Sequence, residues 1–121
     1  MAVVNPTIER LRNGSIITAT YAGMANGDTG APLEYSEWAD RSIQLFGTFG
    51  TGGTMVWQGS NDGTNWETLT AEDNTAISLT ATALVNVTEI PRFARPSITA
   101  GDGTTSLTVI ALLRRPTDMR Q

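Results

Sequence analysis

From Ser15 to Leu113 the chain is built of short β-prone runs separated by Gly, Asn and Asp. No stretch carries the 3.6-residue apolar repeat of an amphipathic helix. Ser15–Tyr21, Ser42–Phe49, Thr54–Ser60, Trp66–Leu69, Ala76–Leu79, Ala83–Val87, Phe93–Ala100 and Ser106–Leu113 read as strands. In Ser42–Phe49 the residues Ile43, Leu45, Gly47 and Phe49 share the core face, and Phe46 is the large apolar group on the other. The Gly-rich link Gly50–Gly53 permits positive φ, so Ser42–Phe49 and Thr54–Ser60 are expected to form a hairpin. Ser106–Leu113 is apolar on both faces and reads as a central strand covered on both sides. Eight short strands at regular spacing predict an all-β antiparallel sandwich or jelly roll.

The segment Glu34–Arg41 fits either a helical turn or a loop that plugs one end of the sandwich with Trp38. No internal repeat or linker divides the chain. It reads as an N-terminal arm over 1–13, a β-sandwich domain over 14–115 and a C-terminal tail over 116–121. Terminal arms of this kind either fray or order against a neighbouring subunit.

The 121 residues leave room for one domain. His and Cys are absent, and all eight basic residues are Arg. A Ser-His-Asp triad, a thiolate nucleophile, a Cys/His zinc site, a disulfide framework and a Schiff-base lysine are therefore excluded. Ser60–Asn65 reads as a dense turn shaped by Asn-Asp-Gly, and its flanking strands defeat an EF-hand reading. Gly50–Gly53 lacks the Lys-Ser/Thr ending of a phosphate loop and opens no helix. No acidic pair sits in a recognisable hydrolase context. The expectation is a non-enzymatic module with no cofactor and no metal.

Formal net charge is −4, and a general nucleic-acid binder would need the basic footprint this chain lacks. No apolar stretch approaches membrane-spanning length, and the start has no secretion-signal pattern. Neither nucleic acid nor membrane is an expected partner, and synthesis in a cytoplasm is. The arginines are unevenly placed, with Arg10 and Arg12 near the start and Arg114, Arg115 and Arg120 near the end. Basic ends of this sort suit docking on an acidic partner surface, against the plainer reading of solvated termini. Among the tryptophans, Trp57 reads as core and Trp66 as a cap on a strand end. Trp38, set among Glu34, Glu37 and Asp40, is the best placed for an interface or ligand platform.

The run from Ser42 to Trp66, with its Phe-Gly-Thr-Phe, Gly-Gly and Trp-Gln-Gly-Ser-Asn-Asp-Gly-Thr-Asn-Trp segments, resembles small structural proteins of tailed bacteriophages. Arg92-Phe-Ala-Arg95-Pro and Gly101-Asp-Gly-Thr-Thr-Ser-Leu-Thr-Val are similar too. That resemblance implies a capsid decoration, or cement, protein on the outer surface of the virion. Its partner would be the major capsid protein, and it would act as a homo-oligomer, a dimer or trimer, on the capsid. Ile8, Arg10, Leu11 and Arg12 would be its arm contacts, with Arg114 and Arg115 secondary. Ser60, Asp62, Gly63, Trp66, Phe93 and Arg95 also follow the order found in discoidin-like jelly rolls. This second resemblance implies the same jelly-roll architecture, but the chain lacks those domains' N-terminal portion and terminal cysteines, so their binding activity does not carry over. The alternative function is a glycan-binding module displayed on a virion, with Trp38, Asn61, Asp62 and Asn65 as the site. A tail or head-completion protein is a third possibility.

Overall fold

A computed structural model describes residues 2–115. The tail expected over 116–121 and Arg120 within it lie outside those residues. Eleven strands form two sheets: β1 (Val3–Val4), β2 (Thr7–Leu11), β3 (Ile16–Met24), β4 (Thr29–Gly30), β5 (Asp40–Thr48), β6 (Thr54–Ser60), β7 (Glu67–Thr68), β8 (Ser78–Leu79), β9 (Ala83–Asn86), β10 (Phe93–Ala100) and β11 (Ser106–Arg114). One sheet has the order β2-β3-β11-β5-β9. The other runs β1-β4-β10-β6-β7, with β8 also paired to β6, further along it than β7.

From β3 onward the chain changes sheet at nearly every connection, and only β6, β7 and β8 stay together. Counting β7 and β8 as one position beside β6, β3 to β11 make an eight-stranded jelly roll, as the strand spacing predicted, and β1 and β2 each add one edge strand. The last strand, β11, lies between β3 and β5 and is paired antiparallel to both.

The expected hairpin between Ser42–Phe49 and Thr54–Ser60 does not form. Those segments are β5 and β6, which lie in opposite sheets and pair with β11 and β10 respectively. Gly50–Gly53 instead spans the roughly 10 Å between layers. Asp102 holds that crossing: one carboxylate oxygen accepts the Thr51 N–H at 2.8 Å while the other accepts the Thr104 N–H and hydroxyl. Gly47, at the end of β5, has φ +130°, and a Cβ there would meet the Ser106 carbonyl oxygen at 2.5 Å. It is exposed and contributes nothing to the core.

The core comprises the inward side chains of both sheets, among them Ile17, Ala19, Tyr21, Ile43, Leu45, Met55, Trp57, Ile98, Leu107 and Val109. Tyr21 satisfies its buried hydroxyl by donating to the Ala31 carbonyl at 2.6 Å, and burial pushes its pKa up. β11 is central within its sheet, but its outer face is not covered. Thr108 and Ile110 are half-buried and Leu112 is exposed, because a two-layer sandwich packs only one face of each sheet.

The N-terminal segment is not separate from the sandwich. Val3 and Val4 pair in parallel with β4, and Thr7–Leu11 pairs antiparallel with β3. Buried Asp28 accepts the Ala2 and Ala25 N–H groups, one on each carboxylate oxygen. The boundary expected at residue 13 is thus the turn between β2 and β3.

Trp57 is 1% exposed, and its indole N–H has no acceptor among the described residues. Trp57→Ala should cost about 3–5 kcal/mol through the cavity it leaves. Trp57→Phe should cost distinctly less, because it also removes the orphaned donor. Urea unfolding of the two variants checks this ordering.

Candidate partner-binding end of the sandwich

The register across the first sheet brings the β2–β3 turn beside the end of β11. Leu11 pairs with Ile16, Ile16 with Arg114 and Arg114 with Asp40. Arg115 follows β11 and donates its N–H to the Ser15 carbonyl at 2.8 Å. Arg10, Arg12, Arg114 and Arg115, two groups a hundred residues apart in sequence, therefore share one end of the molecule.

That end is closed by residues 31–39, which lead from β4 to β5. Leu33 bridges Ala94 in the second sheet, and exposed Glu34 pairs with Arg92 at 2.7 Å. The chain then turns over Tyr35–Trp38, with the Trp38 N–H donating to the Tyr35 carbonyl. Of the two expectations for the segment, the plugging loop holds and the helical turn does not: half-buried Trp38 packs against the core, and residues 34–39 form a loop with one tight turn.

Beneath it sits Arg41, the only buried arginine among the described residues, at 5% exposed. Its guanidinium donates to the Trp38 carbonyl at 2.9 Å and to the Tyr35 carbonyl at 2.8 Å. Burial lowers its pKa, though an arginine stays charged throughout the accessible range. Held by two backbone dipoles, this cation fixes the turn from below.

Above the turn, aromatic rings and guanidiniums stack in series. The Arg10 guanidinium lies 5.7 Å from the Tyr35 ring centroid, Tyr35 meets Trp38 edge-on at 5.5 Å, and Arg115 lies 5.3 Å from the Trp38 centroid. The Trp38 indole N–H donates to the Gly14 carbonyl at 2.9 Å, tying the stack to the β2–β3 turn. A cation over an aromatic face keeps its N–H donors free for a partner, at a fixed position.

The β2–β3 turn itself is strained. Arg12, Asn13 and Gly14 take φ of 53°, 58° and 85° in succession. Asn and Gly suit that left-handed region, but Arg does not. The turn thus holds an exposed cation where glycine would fit better.

Of the residues expected as contacts, Ile8, Arg10 and Leu11 stand exposed on β2, Arg12 on the turn, and Arg114 and Arg115 at the end of β11. Arg114 is partly neutralised by Asp40 at 3.0 Å. The glycan alternative is placed less well. Trp38 is half-buried, packs against the core and carries Arg115 on its ring. Asp62 is spent on its own turn, accepting from Ser60, Thr64 and Asn65. Those hydrogen bonds hold its carboxyl well below the usual carboxylate range. Asn61 accepts the Arg92 N–H. Arg95 stacks on Trp66 at 4.0 Å and donates to Gln58, so it braces the outer side of the second sheet. Tyr35 and Arg41 are the members of this end that sequence reasoning missed. Their three-residue spacing about Trp38 is the only trace of them in the sequence.

With this geometry in view, the molecule can be set beside known proteins. No protein-family model and no curated protein matches the sequence. Among solved structures, SPBc2 prophage-derived protein YomS is similar at TM-score 0.62, over 81% of this chain and 93% of that one, with 11% identity. What the two share is the fold. FeII HppE aligns at TM-score 0.39 with 14% identity, over 89% of this chain and 56% of that one, too loosely to bear on the argument.

Two substitutions test the construction of this end. Arg12→Gly should raise stability by about 0.5–1 kcal/mol by relieving the left-handed backbone, measured by thermal and urea unfolding. Arg41→Met should lower stability by about 2–4 kcal/mol and speed solvent exchange of the Trp38 indole N–H, followed by NMR.

Proposed function

We propose that the protein is a non-enzymatic structural protein of a phage, which binds the outside of an assembled head and stabilises it. The observation that carries this reading is the convergence of both arginine groups on a rigid aromatic stack at one end of the jelly roll. Likeness in fold to a prophage-derived protein supports the phage setting, and the resemblance of the Ser42–Trp66 run to phage structural proteins supports the head. Arg12, Arg114 and Arg115 would meet carboxylates of the major capsid protein, with Ile8, Arg10 and Leu11 beside them.

The mechanism is linkage. A protein that binds the assembled shell and not its free subunits stabilises the shell by RT ln(1 + [L]/Kd) per site, about 2.7 kcal/mol at roughly a hundred times Kd. Repetition over a lattice then makes even weak single contacts effective. A prebuilt stack serves this role because little side-chain entropy remains to be lost on docking.

Co-sedimentation with phage heads lacking their own copy tests the reading. Saturable binding at a fixed ratio to the major capsid protein is expected, weakened about tenfold by Arg12→Ala with Arg115→Ala. Absence of binding by the folded protein would remove the proposal.

A further inference from the structure

The two edges of the first sheet are not alike. The β9 edge is partly covered, because Ala71 bridges Val87 and the Thr88 N–H donates to the Thr70 carbonyl. Along β2, Thr7–Leu11 is exposed at every position and pairs only with β3 among the described residues. The hydrogen bonds at the far side of the sheet settle which groups that open edge offers. The Val87 N–H donates to the Arg41 carbonyl, so odd-numbered residues of β5 turn their backbone groups toward β9 and even-numbered ones toward β11. Antiparallel pairing carries this alternation from strand to strand. Followed through the register, it turns Ile16, Thr18 and Thr20 toward β2, where they meet Leu11, Glu9 and Thr7. The Arg115 N–H on the Ser15 carbonyl fits the same alternation. Ile8 and Arg10 are left with N–H and C=O directed away from the sheet, and neither has a backbone partner there among the described residues.

Such an edge is a template for another strand, and its own side chains narrow the choice. A second copy is a poor occupant. A two-fold axis at Ile8 brings Arg10 opposite Pro6, which has no N–H to donate. An axis at Glu9 sets glutamate opposite glutamate, and one at Arg10 sets arginine opposite arginine. Like charges directly opposite one another destabilise a strand pair. A segment of different chemistry fits better. Ile8 and Arg10 stand on one face of β2, in register with core residues Ala19 and Ile17, and both are exposed. The Arg10 guanidinium is already placed, 5.7 Å from the Tyr35 ring centroid. Glu9 is the only charge on the opposite face of the strand, between Thr7 and Leu11.

We propose that β2 accepts an extended acidic segment of the binding partner as a further strand of the first sheet. Opposite Ile8 the segment carries an apolar residue, and opposite Arg10, two residues along, it carries Asp or Glu. The free backbone groups of Ile8 and Arg10 bond to it whatever its sequence, while the two side chains select among segments. Glu9 rejects an acid at the position between them, so the segment is recognised by where its charge lies. This rests on the head-binding reading, in which the segment belongs to the major capsid protein. It adds the backbone of the sheet edge to the arginine contacts at the end of the sandwich. Docking would turn β2 from an edge strand into an inner one, hydrogen-bonded on both sides.

Hydrogen exchange of the full chain, free and bound to phage heads that lack their own copy, tests this. The Ile8 and Arg10 amides should exchange freely in the free protein and at least about tenfold more slowly on the heads, read residue by residue by NMR after quenching and release. Ile8→Pro removes an outward N–H and Ile8→Ala keeps it, and neither touches a hydrogen bond between β2 and β3. Ile8→Pro should bind heads about tenfold more weakly than Ile8→Ala, with circular dichroism unchanged in both. Arg10→Glu should bind about tenfold more weakly than Arg10→Gln. Binding of the unaltered chain with Ile8 and Arg10 exchange unchanged would overturn the added strand and leave the head-binding reading in place. Equal binding by Arg10→Glu and Arg10→Gln would overturn the acidic character of the segment. No binding of the unaltered chain would remove both readings.

Discussion

Strand β11 is hydrogen-bonded along almost its whole length to β3 on one side and β5 on the other, and the rest of the molecule is arranged by that insertion. It joins the last strand of the jelly roll to segments roughly ninety and seventy residues earlier, and this explains why the β2–β3 turn and the end of β11 meet. The loop-closure entropy such pairings cost is recovered by inward residues such as Val109, Ala111 and Leu113, which are at most 1% exposed. Because strand pairing fixes position to within a residue, the arginines just beyond β2 and β11 arrive at one end with a defined relation to each other.

Chemically, that end presents cationic donors on a braced base. Buried Arg41 holds the carbonyls of Tyr35 and Trp38, the two rings brace each other, and Arg10 and Arg115 rest on the rings. Charged donors on a rigid base favour fast, salt-sensitive recognition of an acidic surface, even in a protein of net negative charge. The acids that dominate the total charge are spent elsewhere. Asp62 and Asp102 each organise a turn, and the hydrogen bonds they accept hold both carboxyls well below the usual range.

Much of the fold was legible because its strands alternate and its turns are written in Asn, Asp and Gly. Alternation reports which face of a strand is buried, not which sheet the strand joins. A four-residue glycine-rich link suits a hairpin and a crossing between layers equally, and so β5 and β6 were expected as partners. β1 and β2 were invisible for a different reason: Thr7–Leu11 is exposed at every position and carries no core periodicity. At the candidate end, the arginine clusters stood out in the sequence. Arg41 did not, because the burial of an arginine against two carbonyls is a tertiary event with no local signature. The Arg12 turn was equally hidden, since a left-handed arginine contradicts the local preference.

The first eleven residues also carry a consequence for how the sandwich opens. β1 belongs to one sheet and β2 to the other, with only Asn5 and Pro6 between them. Neither foothold is strong, since β1 is two residues long and β2 buries little. When one lets go, however, the other keeps the freed strand close to its place at high effective concentration. Complete release needs both to be open at once, so their small opening probabilities multiply. The segment acts as a bivalent ligand of its own sandwich, holding two sheets together with bonds that would each be weak alone.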